Sequence, residues 1–294
     1  MLDPPLLRDR LSYERTMEGF TDDAEADALR HTVVLRDGER GIKLAAVATI
    51  SPGYEIREAR CRVMQGDIAS DVQRGVADLA GARMVAGFTR RVAEATGRGT
   101  GAAFVVDAAV EIARLARQVN KVPRERAEQA VARGATACWE LDTAAWVDLP
   151  DSCFTYSAEG RARLATAAVT TPMQADLYSP RPGQRRVFER RKVARLERTP
   201  QRLVLFHSMY DNVHGFEITY HVDRRSGRIV TAEHSTPRLP YAGICSEPQR
   251  KLQALVGEAV DEGLRKRIAA LIGGPGGCAQ LYDLTVDLLK LLAA

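Results

Sequence analysis

One stretch of this chain occurs twice, and no other feature narrows the possible folds as far. Residues 81–115 lie on residues 257–291 without a gap, at a constant offset of 176. About 10 of the 35 positions are identical, and several matches fall where backbone conformation or packing is demanding. Gly81 meets Gly257, Gly87 meets Gly263, Arg91 meets Arg267, Gly97 meets Gly273, Gly101 meets Gly277 and Asp107 meets Asp283. Upstream, residues 40–60 lie more weakly on residues 214–234, and residues 11–15 resemble residues 186–190. Solenoid units run about 20–50 residues, so a repeat of this length predicts a duplicated domain. The expected organisation is a first, degenerate copy over 8–120, a connecting and partly helical segment over 121–180, and a second copy over 181–294 that carries the polar residues.

Both copies show one order of patterns. In the second, residues 203–207, 215–222 and 228–233 are short runs rich in β-branched and aromatic side chains. Asp211-Asn212 suits a two-residue hairpin turn, and residues 224–227 a longer one. Residues 248–256, 260–272 and 278–292 then carry apolar side chains at three-and-four spacing, the pattern of amphipathic helices. The prediction is an α+β fold, internally duplicated, each half a small antiparallel meander sheet followed by about three helices. Residues 124–140 read as one further helix, and residues 139–178 as a mixed segment that packs across both halves.

Apolar residues at 45% and charged residues at 27% match an ordinary globular protein. No apolar run approaches the roughly 18–20 residues of a membrane helix, and the N-terminus lacks the basic-then-apolar order of a secretory signal. Cys61, Cys138, Cys153, Cys245 and Cys278 are odd in number and include no C-x-x-C pair, which argues against a disulfide framework and the common zinc spacings. A reduced, cytoplasmic protein without a membrane partner is expected. The net charge of +4 is mild. The arginine-dense residues 181–202 interleave Glu189, Glu197 and apolar side chains, so they read as a solvated amphipathic strand or helix and no nucleic-acid partner is expected.

Two resemblances follow from particular residues. Residues 218–222 through 227–230, then 255–258 and Gly277-Cys278, resemble the layout of the U-type scaffold fold shared by NifU-like and SufE-like iron–sulphur proteins. That resemblance implies a NifU/SufE-like fold. Of the three cluster cysteines it implies, only Cys278 stands at a matching position, with Tyr241 where the middle one would be. The segments Pro240-Tyr241-Ala242-Gly243-Ile244-Cys245 and Gly277-Cys278-Ala279-Gln280-Leu281 also resemble a bacterial domain family of unknown function, which carries Pro-Tyr-x-x-x-Cys and closes with Gly-Cys-Thr-His-Leu. Gln280 replaces that family's histidine. The resemblance implies a setting among enzymes of aromatic-compound breakdown.

Candidate chemistry concentrates in the second copy. His207, His214, His221 and His234 fall within 28 residues. With Asp211-Asn212 as the turn, Met209 would pair with His214 and put His207 and His214 diagonally on one face, while His221 points to the other. That parity argues against a three-histidine metal site, so no metal and no cofactor is expected. Cys278 follows the glycine-rich residues 273–277 and opens the last helix, where amides and the helix dipole are expected to lower its pKa and, with Gly277, to clamp an anion. His234 is a further ligand-binding candidate. Asp107 and Asp283, present in both copies, are expected to hold the helices.

The leading expectation is a cofactor-independent, non-redox lyase acting by acid/base chemistry on a small phenolic substrate. His214, alone or with His207, would be the general base, and Tyr241 or Tyr282 would donate to developing oxyanion charge. One alternative is a non-catalytic scaffold that holds a metal, a cluster or a partner enzyme, with Cys278, Cys245 and a histidine expected to converge on one ion. Another is a metal-dependent hydrolase. Either a monomeric pseudo-dimer or a homodimer would suit the repeat.

Overall fold

The computed structural model describes residues 1–293. Eight strands, β1 (Ser12–Glu25), β2 (Ala28–Asp37), β3 (Gly41–Thr49), β4 (Ile56–Gln65), β5 (Phe188–Arg198), β6 (Arg202–Asp211), β7 (Gly215–Asp223) and β8 (Arg228–Arg238), form one sheet. Every neighbouring pair is antiparallel, in the order β4-β3-β2-β1-β5-β6-β7-β8. Two four-stranded meanders therefore run outward from a central seam between β1 and β5. The α+β class agrees with expectation, but three strands per half was one too few, and the two small sheets are one large one. The two strands outside the expected meanders, β1 and β5, contain residues 12–15 and 188–190 of the resembling segments. In β5 the covered face carries Arg190 and Lys192 beside Ala194 and Leu196, so the apolar alternation that marks a half-buried strand is broken by buried cations.

Helices α1 (Ser70–Gly75), α2 (Phe88–Thr96) and α3 (Ala102–Leu115) follow the first meander. The segment between the meanders holds α4 (Arg124–Arg133), α5 (Ala135–Ala145), α6 (Ala158–Leu164) and α7 (Ala175–Tyr178). After β8 come a 3-10 helix over Pro248–Leu255, then α8 (Leu264–Ile272) and α9 (Ala279–Ala293). The single helix expected over 124–140 is two, because Gly134 at φ +89° takes a conformation that breaks the helix. Among the described residues no helix is long and apolar enough to cross a membrane.

α3 packs across β1, β2 and β3, and α9 across β5 and β6. Side chains from the covered face, such as Val33, Leu44, Leu205 and Ile218, meet Phe104 and Ile112 of α3 and Leu284 and Leu288 of α9 in one continuous core. Each fully buried Leu, Ile or Phe contributes about 1.5–3 kcal/mol. Gly19 in β1 allows the close approach of α3, since a Cβ there would lie 2.9 Å from Leu115 Cδ1.

Residues 121–180 tie the halves together. Tyr54 donates to Asp148 at 2.9 Å and Asn120 to the Ala145 carbonyl at 2.8 Å on one side. On the other, Phe154 N–H reaches the Gly277 carbonyl at 2.8 Å, and Thr170 and Ala242 exchange backbone hydrogen bonds.

Candidate functional site

A cavity of about 270 Å³ lies where the β6–β7 hairpin, the end of α3, the start of α9 and the connecting segment meet. Trp146, Leu149, Leu177, Phe216 and Leu239 supply apolar wall, and Asp142 and His214 face the same space.

His214 owes its position to the hairpin. Asp211 N–H bonds the His214 carbonyl at 2.9 Å, so Asn212-Val213 are the central turn residues, one position later than expected. Asp211 Oδ1 accepts the N–H groups of Val213 and His214 at 2.8 and 2.6 Å. The β2–β3 hairpin is built alike: Asp37 Oδ1 accepts from Glu39 and Arg40 at 2.9 and 2.7 Å. Arg40 thus stands where the second hairpin has His214.

The register separates the two histidines expected to act together. His214 lies opposite Asp211, whereas His207 pairs with Ile218, four residues along the strand and so about 13 Å away. His207 is buried, bonds the Leu284 carbonyl through Nδ1 at 2.9 Å, and lines a separate 40 Å³ cavity. Burial and the nearby Lys192 push its pKa down to about 4.

Asp211 is the partner His214 has instead. Its Oδ1 and Oδ2 lie 3.0 and 3.1 Å from His214 Nδ1, and Oδ2 accepts from Arg190 Nε and Nη2 at 2.9 and 2.7 Å. Burial opposes the charge, but His214 and Arg190 hold the Asp211 carboxyl well below the usual range. An ionised carboxylate only accepts, so Nδ1 carries a proton and, in the neutral ring, the lone pair is on Nε2. Among the described residues no group bonds Nε2.

Asp142 on α5 was not singled out from the sequence. It is buried and takes three phenol donors: Tyr178 on Oδ1 at 2.7 Å, Tyr156 on Oδ2 at 2.7 Å, and Tyr241 on Oδ2. Burial raises its pKa to about 6 despite the three donors. The available signal was its place on the face of α5 that also carries Cys138, Trp139 and Leu141, where an acid must be paired or partly protonated.

The other candidates divide. Gly277 and Cys278 line the cavity. Tyr241 is fully buried and reaches the cavity only through Asp142. Tyr282 packs half-buried against the core, outside the cavity wall, and His234 is exposed on β8 opposite Ile218. Cys278 is not activated: burial pushes its thiol up to about 11, outweighing the amides of Leu281 and Gln280 that face its sulphur. Nor do Gly277 and Cys278 offer an anion clamp, since their N–H groups bond the carbonyls of Gly274 and Ile272, each at 2.9 Å. Cys153 and Cys245 share the wall, with Cys245 raised to about 12 by burial. Among the described residues no three His, Cys, Asp or Glu side chains are placed to hold a metal ion, so Cys278, Cys245 and His214 share a cavity without converging on one ion.

Neither a curated protein nor a solved structure matches this chain. Residues 197–293, which supply Asp211, His214, Cys245 and Cys278 but not Asp142 or Arg190, are covered by a domain of the family described as a protein of unknown function, DUF2889.

Proposed function

We propose that this chain is a cofactor-independent lyase that cleaves a carbon–oxygen or carbon–carbon bond in a small phenolic compound by acid/base chemistry. The observation that carries the reading is the Asp211–His214 pair, which leaves the Nε2 lone pair as a base beside an apolar, aromatic-walled cavity. In the carbon–oxygen case, His214 takes the phenolic proton. The phenolate electrons move through the ring and expel an alkoxide from the benzylic carbon, leaving a quinone methide. The alkoxide takes a proton from Asp142, whose pKa of about 6 makes the protonated form available near neutral pH. Tyr156, Tyr178 and Tyr241 hold that carboxyl in place, so Tyr241 is a positioning residue.

We also read the chain as an internal duplication whose second half keeps the NifU/SufE-like order of meander then helices. The outward-running meanders and the paired Asp37 and Asp211 turns support this.

The test is incubation with a panel of phenols bearing benzylic ethers or hydroxylated side chains, with fragments identified by mass spectrometry. The reading predicts one aliphatic fragment and one aromatic fragment, the quinone methide or the phenol formed when water adds to its benzylic carbon, from at least one member. It also predicts a loss of roughly 10²–10⁴-fold in kcat for Asp211→Asn, which no longer fixes the Nε2 tautomer. No cleavage of any member by the wild type contradicts it.

A further inference from the structure

The cavity wall carries three guanidinium groups, and each is already neutralised. Arg114 lies 2.9 Å from Asp283 and 2.5 Å from Asp287, and also contacts Glu111. Arg117 spends Nε on Asp148 at 2.6 Å and its two terminal nitrogens on the carbonyls of Ala113 and Met84 at 2.8 and 2.7 Å. Arg190 is taken by Asp211. Among the described residues no lysine lines the cavity. At the start of α9 the Gly277 and Cys278 amides are internally bonded, and those of Gln280 and Leu281 face the Cys278 sulphur. What the wall does offer is acceptors, the Asp142 carboxyl and the His214 Nε2 lone pair.

We infer that this cavity binds an uncharged, hydroxyl-bearing aromatic compound and discriminates against the corresponding carboxylate. An anion entering would lose its hydration and meet only cations already matched by carboxylates. A neutral alcohol or phenol instead donates its O–H to acceptors that are waiting, while its ring covers apolar wall. The inference rests on the reading of this cavity as the active site, and it specifies the substrate class.

Isothermal titration at pH 8 with 4-hydroxycinnamyl alcohol and 4-hydroxycinnamate, matched in shape and differing in charge, tests it on the wild-type protein. The alcohol is expected to bind at least tenfold more tightly. Asp148→Asn, which releases Arg117 from its counter-ion, is expected to improve carboxylate binding at least fivefold and to change alcohol binding by less than twofold. Equal or tighter binding of the carboxylate by the wild type, or binding of neither probe, overturns the inference. The readout needs no turnover: tighter alcohol binding with no phenol cleaved would retire the lyase and keep the ligand class.

Discussion

Arg114 on α3 lies 2.9 Å from Asp283 on α9, and its counterpart under the 176-residue offset, Lys290 on α9, reaches back to Asp107 on α3 at 2.8 Å. The two ion pairs are one contact made in both directions, which gives Asp107 and Asp283 a structural role. Between them lies Lys192, opposite Met17 in the β1–β5 ladder, with Glu111 at 2.7 Å and Asp287 at 3.5 Å. Glu111 and Asp287 are again 176 residues apart. The seam between the meanders is thus closed by charge as well as by apolar packing.

Removing the central cation should therefore cost stability. Lys192→Met leaves two buried carboxylates with less compensation, and urea unfolding should show a loss of about 3–5 kcal/mol. Glu111 adds a pH signature: burial would raise it, but Lys192 and Arg114 hold it down to about 2 from 4.5. A depressed acid stabilises fully above its unfolded pKa, so this contribution is complete above pH 4.5 and is lost as pH falls through about 2. Lys192→Met should flatten that decline; an unchanged slope between pH 4.5 and 2 contradicts the assignment.

The buried histidines act at higher pH and with a different chemistry. Burial lowers His31 to about 3, and burial with Lys192 lowers His207 to about 4, both from 6.5. A base with a depressed folded pKa is protonated first in the unfolded chain. Its contribution is therefore intact above pH 6.5 and declines as pH falls towards the folded value. Proton NMR should find the imidazole signals of both residues unmoved between pH 8 and 5. Titration of either above pH 5 would show that it is not buried.

At Asp142 the tyrosines and burial oppose each other, and a single variant separates them. Tyr241→Phe removes one donor to the carboxylate, so the pKa should rise above about 6. Isotope-edited infrared spectroscopy of the carboxyl band reads this directly. A fall, or no change, would mean that the phenol does not stabilise the ionised form.

Much of the frame was legible because periodicity and turn residues are local signals. The runs of β6, β7 and β8 and the helix at residues 279–293 follow from spacing alone. Two things were not local. The central strand β5 is masked by Arg190 and Lys192, whose partners lie outside it, Asp211 on the next strand and Glu111 on α3, so their burial reads as exposure. The cavity depends on Asp142, Trp146 and Leu177 from a segment with no clear pattern, placed by contacts with both halves. His214 was found because the hairpin announces itself, but its partner Asp211 was assigned to the turn. A one-residue change in turn position moved His207 out of reach.

Thiol chemistry offers a check on cysteine burial, at Cys245 and Cys278 on the cavity wall and at Cys61 on β4. Burial pushes Cys61 and Cys278 up to about 11 and Cys245 to about 12. At pH 8 in native buffer, iodoacetamide should label these three far more slowly than a free thiol, whose pKa is about 8.5, and in denaturant all five cysteines should react. Rapid native labelling of Cys278 would restore the activated thiol that its place before α9 suggested.

The central claim is that His214 performs the proton transfer without a metal or coenzyme. It is tested most directly by comparing cleavage of the phenol panel by EDTA-dialysed wild type and by His214→Gln. The account predicts full activity in the dialysed wild type and a loss of roughly 10²–10⁴-fold in kcat for the variant. Activity that disappears on dialysis and returns with a metal ion, or a variant as active as the wild type, would contradict it.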